Sequence, residues 1–223
     1  MNSLLPELYA YDEIRSLTSA TALIGEVSSS AVVLGSSQHE SVLTSSTLAT
    51  RNVRRRRGGG GAVLLSPGDL WIDLWIPAND PRYDRDISTQ AHFAGAKWAA
   101  VLGEFTGEMF DVQRGPMVGN ENFSVACFAG RASGEVVHRQ RKVVGVTQWR
   151  VREGAFVSTL LCFGPTLELL KLLSNPPRGL DQALDHDSLE SLHLAERRQA
   201  VRDQLLAISG PWEVTRWALP ERV

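Results

Sequence analysis

The sequence predicts an α+β fold, with strands gathered in the middle of the chain and helices toward both ends. Three observations lead there. Four β-rich stretches, Phe123 to Phe128, Glu135 to His138, Lys142 to Arg150 and Ala155 to Phe163, follow one another at the spacing of an antiparallel meander. Gly134, Arg139-Gln140-Arg141 and Arg152-Glu153-Gly154 separate them. An alanine-rich run from Ala91 to Leu102 favours helix, with Phe93, Trp98 and Leu102 as its buried side. Upstream of it, apolar runs broken by turn residues read as strand, loop, strand, strand.

In chain order, Leu8, Ile14, Leu17 and Leu23 recur among polar groups, so Leu8 to Ile24 is expected to open as a helix that frays into a Ser/Thr-rich loop. Ala31-Val32-Val33-Leu34 is a short buried strand, because its apolar run gives way abruptly to the small turn formers Gly35-Ser36-Ser37-Gln38. Arg54-Arg55-Arg56-Arg57 then leads into Gly58-Gly59-Gly60-Gly61 and the apolar Ala62-Val63-Leu64-Leu65. Gly68 punctuates the chain, and a strand resumes over Leu70 to Ile76, ending near Pro77, which has no amide to donate. Ser88 is the expected N-cap of the Ala91 to Leu102 helix. After the meander, Pro165 opens a leucine-rich helix to Leu173, Pro176-Pro177 stop it, and an amphipathic stretch from Leu189 to Ile208 closes the fold before Gly210-Pro211. The expectation is a single domain over 1–223 with a helical C-terminal end from about residue 165 and no separate accessory domain.

Composition narrows the function. With 43% hydrophobic and 22% charged residues the 223-residue chain folds rather than staying disordered. Its 23 Lys and Arg against 25 Asp and Glu give a net charge of -2, without the basic footprint of a nucleic-acid binder. No apolar run approaches the roughly 20 residues that cross a bilayer. The first residues hold Pro6 and Glu7 instead of a basic segment followed by a greasy one. A cytoplasmic protein without membrane or nucleic-acid partners is expected. Cys127 and Cys162 are too few for a disulfide scaffold and too far apart for a zinc knuckle, which fits a reducing compartment. His39, His92, His138, His186 and His193 lack metal-ligand spacing and are expected at the surface or as caps, with no metal site. Trp212 and Trp217 read as covers of the core.

Four consecutive glycines cost on the order of 1 kcal/mol each relative to alanine in regular structure. Such a turn can converge its amides on an anion, with Arg55 or Arg56 adding forked donors to a phosphate or carboxylate. It is equally readable as a floppy surface loop with a solvated basic run. No Lys-Ser or Lys-Thr follows the glycines, so this is not a P-loop.

Arg55-Arg56 followed by Gly59-Gly60-Gly61-Ala62-Val63 resembles the arginine and triple-glycine signature of the lipoate-protein ligase family, which also holds octanoyl and lipoyl transferases. Biotin ligases are its more distant relatives. Two further stretches are similar in the expected order: Val33-Leu34-Gly35-Ser36-Ser37-Gln38, and the lysine strand Arg141-Lys142-Val143-Val144-Gly145-Val146-Thr147-Gln148. The resemblance spans roughly Leu8 to Leu173. It implies a mixed, largely antiparallel sheet flanked by helices. It also implies a two-step reaction in which lipoate or octanoate and ATP, with Mg²⁺, give an acyl-AMP that a lipoyl-domain lysine attacks. The acceptors it implies are lipoyl domains of 2-oxoacid dehydrogenase complexes or the glycine cleavage H protein, with no tightly bound prosthetic group.

Residue by residue, the resemblance places Arg55, Arg56, Gly59, Gly60, Gly61 and Ala62 at nucleotide and phosphate, and Val63, Leu64, Gly35, Gly145 and Gln148 along the acyl chain. Lys142 falls at the junction of acyl carbonyl and α-phosphate. Read alone, Lys142 is better explained as an edge lysine that discourages aggregation, and it is the resemblance that favours a functional role. The period of two puts Gly145 on the opposite face of the strand from Lys142. Cys127-Phe128 resembles the Cys-Phe pair of cysteine-dependent octanoyltransferases, where a thioester of acyl carrier protein is the donor and no ATP is needed. Its alternative is a small buried apolar cysteine. Leu65 stands where a histidine is common, Ser66-Pro67-Gly68-Asp69 replaces Asp-x-Gly-Asn, Val157-Ser158 replaces His-Gly, and Val146-Thr147 replaces Ser-Ala. These departures mark a divergent member and keep open a non-catalytic acyl or lipoyl-domain binder.

Overall fold

The computed structural model of the chain describes residues 5–164, 166–184 and 194–219. Its strands are β1 (Thr21–Glu26), β2 (Ala31–Leu34), β3 (Asn52–Arg55), β4 (Val63–Leu65), β5 (Leu70–Pro77), β6 (Asp111–Val112), β7 (Val136–His138), β8 (Arg141–Val151), β9 (Gly154–Leu161) and β10 (Glu213–Ala218). The helices are α1 (Tyr11–Ile14), α2 (Ser45–Thr50), α3 (Ile87–Thr106), α4 (Leu180–Leu184) and α5 (Arg198–Ser209). A seven-stranded sheet runs β10-β1-β5-β9-β8-β7-β6, and a three-stranded sheet runs β3-β2-β4. Among these pairs only β1 with β10 and β2 with β3 are parallel, so the expected α+β class with a largely antiparallel mixed sheet holds.

Two apolar clusters bury the sheets. Val33 and Leu34 of the small sheet meet Trp71, Trp75 and Phe156 of the large one. On the second cluster, Ile72 and Val144 pack with Trp98 of α3 and Leu205 of α5. Helix α3 begins earlier than its alanines indicate, because Asp86, and not Ser88, accepts the Thr89 amide as N-cap. It ends at Gly107, whose φ of 73° suits only glycine without strain. Trp98 and Leu102 are buried as expected, and Phe93 is partly so.

Several sequence expectations are corrected. Leu8 to Ile24 is not a helix: it holds the single turn α1, and Leu23 and Ile24 belong to β1, which lies between β5 and β10 with nearly every side chain buried. A strand covered on both faces shows no alternation, so its pattern carried no period of two. Phe123 to Phe128 is not a strand but two 3-10 turns, Glu121–Val125 and Cys127–Ala129, the first capped by the Asn120 side chain on the Asn122 amide. The leucine-rich segment forms a 3-10 turn over Thr166–Leu172 in place of a regular helix, and Pro165 lies outside the described residues. Of the stretch from Leu189 to Ile208, residues 189–193 lie outside the described ones and the helix proper is α5. The C-terminal end is not purely helical, since β10 follows Gly210-Pro211. His138 is buried and stacks on Phe110, contrary to the expected surface place, whereas His39 caps a 3-10 turn. His186 and His193 lie outside the described residues.

Candidate active site

Between the small sheet, the N-terminus of α3 and the turns over 121–129 lies a cleft of about 1020 Å³. Gly59, Gly60 and Gly61 line one side, Gln148, Ile87 and Ser88 another, and Cys127, Glu135 and Lys142 its base. A second hollow of about 20 Å³ adjoins it, bounded by Val63, Cys127, Phe128, Gly145, Ser158 and Leu160. Cys127 therefore stands at the boundary of a wide cleft of mixed lining and a narrow apolar hollow.

The glycine turn is held by the arginines before it. Arg56 is buried and donates from Nε and Nη2 to the Gly59 carbonyl, from Nη2 to Gly61 and from Nη1 to Val33. Arg55 Nη1 donates to the carbonyls of Gly35 and Gln38. Both guanidiniums thus face main-chain oxygens, and among the described residues lining the wide cleft Lys142 is the only Lys or Arg. Glycine is needed here by contact: a Cβ on Gly35 would sit 1.9 Å from the Gly60 oxygen, and one on Gly61 2.5 Å from the Ser124 oxygen. Gly60 itself has φ of 93°. Gly59 faces open space, with nothing within 4 Å of its would-be Cβ.

The turn is tied to the cysteine through the backbone. Ala62 donates to Val125 and accepts from the Cys127 amide, so Gly61-Ala62 runs alongside 125–127. Ala62 is buried in that bridge, and it borders, with Leu64, a small hollow behind Phe128 instead of the cleft. Gln148 reaches the cleft and donates to the Ile87 carbonyl at the start of α3.

Lys142 and Gly145 do not lie on opposite faces. In β8 two residues, Val143 and Val144, advance the register where β7 advances one, since Val136 pairs with Val144 and Val137 with Lys142. This bulge reverses the alternation, and Lys142 and Gly145 both come against Cys127 and Phe128. The Lys142 ammonium is buried, 3.9 Å from Cys127 Sγ, and donates to the Cys127 carbonyl and, at 2.9 Å, to Glu135 Oε1. Burial acts to lower its pKa, but the Cys127 sulfur and the Glu135 carboxylate outweigh it and hold the ammonium above the usual lysine range. Burial likewise pushes Glu135 up, against the pull of Lys142.

Two buried carboxyls were not anticipated. Glu135 heads an apolar strand seven residues before Lys142, which is the signal that could have found it. Asp73 is a lone acid in the otherwise apolar Leu70 to Ile76 run. Register sets Thr147, Ser158 and Asp73 side by side across β8, β9 and β5. Asp73 accepts from Ser158 Oγ, the Thr159 amide and Trp71 Nε1, and burial pushes its carboxyl up to about 7. Ser158 carries this polar group to the floor of the narrow hollow.

A positive charge fixed at the base of a cleft, beside a thiol and an apolar slot, on a largely antiparallel sheet, defines an enzyme of the ligase or acyltransferase type. The chain belongs to the lipoyl protein ligase A/B catalytic domain family, which matches residues 4–194. No curated protein matches it. Among solved structures, it is similar to a protein from T. acidophilum assigned as a lipoate protein ligase, with bound lipoic acid, at TM-score 0.67 and 16% identity over 95% of this chain and 83% of that one. A lipoate-protein ligase A bound with ATP aligns at TM-score 0.65 and 18% identity, covering 95% and 83%. A bipartite lipoate protein ligase of Thermoplasma acidophilum, described with its E2 lipoyl domain, aligns at TM-score 0.63 and 18% identity, covering 95% and 81%. At these identities the likeness is one of fold. No helix among the described residues is long and apolar enough to cross a membrane.

Proposed function

We propose that this chain transfers a lipoyl or octanoyl group to a lysine of a lipoyl domain, carrying it between donor and acceptor as a thioester on Cys127. The observation that supports this is the placement of Cys127 Sγ 3.9 Å from Lys142 Nζ, where the wide cleft meets the apolar slot of Val63 and Gly145. In the first step the Cys127 sulfur attacks the carbonyl of a carrier-protein thioester, the carrier thiol leaves with the proton, and the acyl group remains on Cys127. In the second the acceptor amine attacks that carbonyl, an amide forms and the cysteine thiol is restored. The Lys142 ammonium offsets charge on the carbonyl oxygen in both steps. The 20 Å³ slot holds about one water-sized group, so the acyl chain enters by moving Phe128, whose ring also walls the hollow behind Ala62 and Leu64.

A second reading, adenylation by ATP with Mg²⁺ before transfer, draws support from the ATP-bound relative and from the glycine amides beside a cleft large enough for a nucleotide. Against it stands the placement of Arg55 and Arg56, whose guanidiniums bond main-chain carbonyls, leaving Lys142 as the cation at the cleft base. One experiment separates the two. A lipoyl domain is incubated with the protein and either octanoyl-carrier protein alone or free octanoate with ATP and Mg²⁺, and its mass is measured. The first reading expects acylation without ATP and a hydroxylamine-sensitive adduct on Cys127; acylation only with ATP, undiminished in Cys127→Ala, would refute it.

A further inference from the structure

Glu135 has no part in the steps above, yet it is buried as deeply as Lys142, with side chains 4% and 3% exposed. Its Oε2 accepts the Ala132 amide at 2.6 Å, which aims Oε1 at the ammonium. One buried cation is thus faced by two groups able to carry negative charge, a carboxyl on one side and a thiol on the other. Ammonium and carboxylate balance each other; adding a thiolate leaves one surplus negative charge on a partly buried sulfur, which is costly.

We propose that Glu135 is a positioning residue that sets the ionisation of Cys127 through Lys142, its carboxylate drawing on the same ammonium as the sulfur and receiving the thiol proton when the thiolate forms. This rests on the reading of Cys127 as the acyl carrier. Lys142 passes one of its protons to Glu135 Oε1, and as the S–H bond breaks the lone pair so freed on its nitrogen takes the thiol proton. The products are a thiolate, an ammonium and a neutral carboxylic acid, with no other reactant. The carrier sulfur that leaves after acyl transfer regains the proton by the same path. Burial, which pushes the Glu135 carboxyl up, suits it to accept a proton.

The other charged or titratable groups facing the trio are few. Arg56, from the glycine turn, opposes protonation of Lys142. Cys162 of the core senses Cys127 electrostatically. Glu121 and His39 line the wide cleft, and Arg131 and Arg141 border the hollow on the far side of Lys142. Arg131 and Arg141 are engaged by the Gln140 and Gln182 carbonyls. None of these lies between the carboxylate and the ammonium.

The test reads the thiolate directly. Iodoacetamide labelling of Cys127, resolved by peptide mass spectrometry so that Cys162 does not contribute, is followed from pH 5 to 9 in wild type, Glu135→Gln and Glu135→Asp. Gln removes the charge and, with a single oxygen, keeps one of the two accepted hydrogen bonds, so the labelling midpoint falls by about one pH unit and labelling at pH 6.5 quickens about tenfold. Asp, one methylene shorter, gives a smaller shift in the same direction and carries the test if the Gln variant does not fold. A midpoint that stays or rises in these variants overturns the proposal. No acyl donor is present in this assay, so a Cys127 that forms no thioester would refute the acyl-carrier reading while leaving this measurement intact.

Discussion

Gly35→Ala is the sharpest test of the claim that the glycine turn is a seat built by close approach. The added methyl carbon would lie 1.9 Å from the Gly60 oxygen and 3.0 Å from its carbonyl carbon. Ordinary van der Waals contact needs a retreat of about 1.5 Å. The turn has little freedom to give, because Arg56 holds Gly59 and Gly61 by their oxygens and Gly61 presses against the backbone of Ser124 and Ala126. Overpacking of this kind costs ~1–3 kcal/mol, which for a chain of this size lowers the melting temperature by roughly 4–8 °C at the middle of that range. The displacement reaches Cys127 through the Ala62 bridge, and a misplacement of about 1 Å reduces turnover by on the order of 10²-fold. Gly59→Ala is the matched control, since its methyl meets nothing within 4 Å; its melting temperature stays within about 1 °C of wild type. Thermal melts of the two variants beside mass-spectrometric acyl transfer make the comparison. Gly35→Ala with wild-type stability and turnover would refute the close-approach argument.

Lys142→Ala lowers acyl transfer by ~10²–10³ and also destabilises the fold near neutral pH, because it leaves the buried Glu135 unpaired at a cost of ~3–5 kcal/mol; rate and denaturant melts on one preparation check both. Cys127→Ala abolishes the hydroxylamine-sensitive adduct and transfer from the carrier thioester, while its melting temperature moves little, since Cys127 is only partly buried; undiminished thioester-driven transfer would contradict it. Asp73 is raised in the folded chain, so its contribution to stability is full below the unfolded value of 3.8 and is lost as pH rises through about 7. Thermal midpoints of wild type therefore fall more steeply between about pH 4 and 7 than those of Asp73→Asn, and equal slopes would show that Asp73 does not titrate there.

What could be read from the sequence was what is local. The Arg56 to Val63 turn, the strand before Gly35 and the β8–β9 hairpin follow from neighbours along the chain, because glycine freedom, β-branching and turn residues act within a few positions. The alternation rule failed at Val143, where one extra residue in β8 reverses which side every following residue faces. A bulge is set by the partner strand and leaves no mark of its own in the run Lys142-Val143-Val144-Gly145. β1 and β10 were hidden for the opposite reasons: one is covered on both faces, and the other is an exposed edge strand whose pairing is parallel and distant in sequence.

The error at Cys127 bears most directly on chemistry. As a strand residue it would commit its carbonyl to a ladder and alternate away from Phe128. In a 3-10 turn the carbonyl instead turns to the Lys142 ammonium while the sulfur faces the same nitrogen. The lysine is therefore held by main chain and side chain of one residue, with Glu135 behind it. The preceding turn, Glu121–Val125, is capped by the Asn120 side chain and leads directly into Ala126 and Cys127, so loosening it separates sulfur from ammonium without touching either: Asn120→Ala loses a cap worth ~1 kcal/mol, and transfer falls by more than the stability loss explains. Equal turnover per folded molecule in Asn120→Ala and wild type would mean that the Glu121–Val125 turn does not position the sulfur.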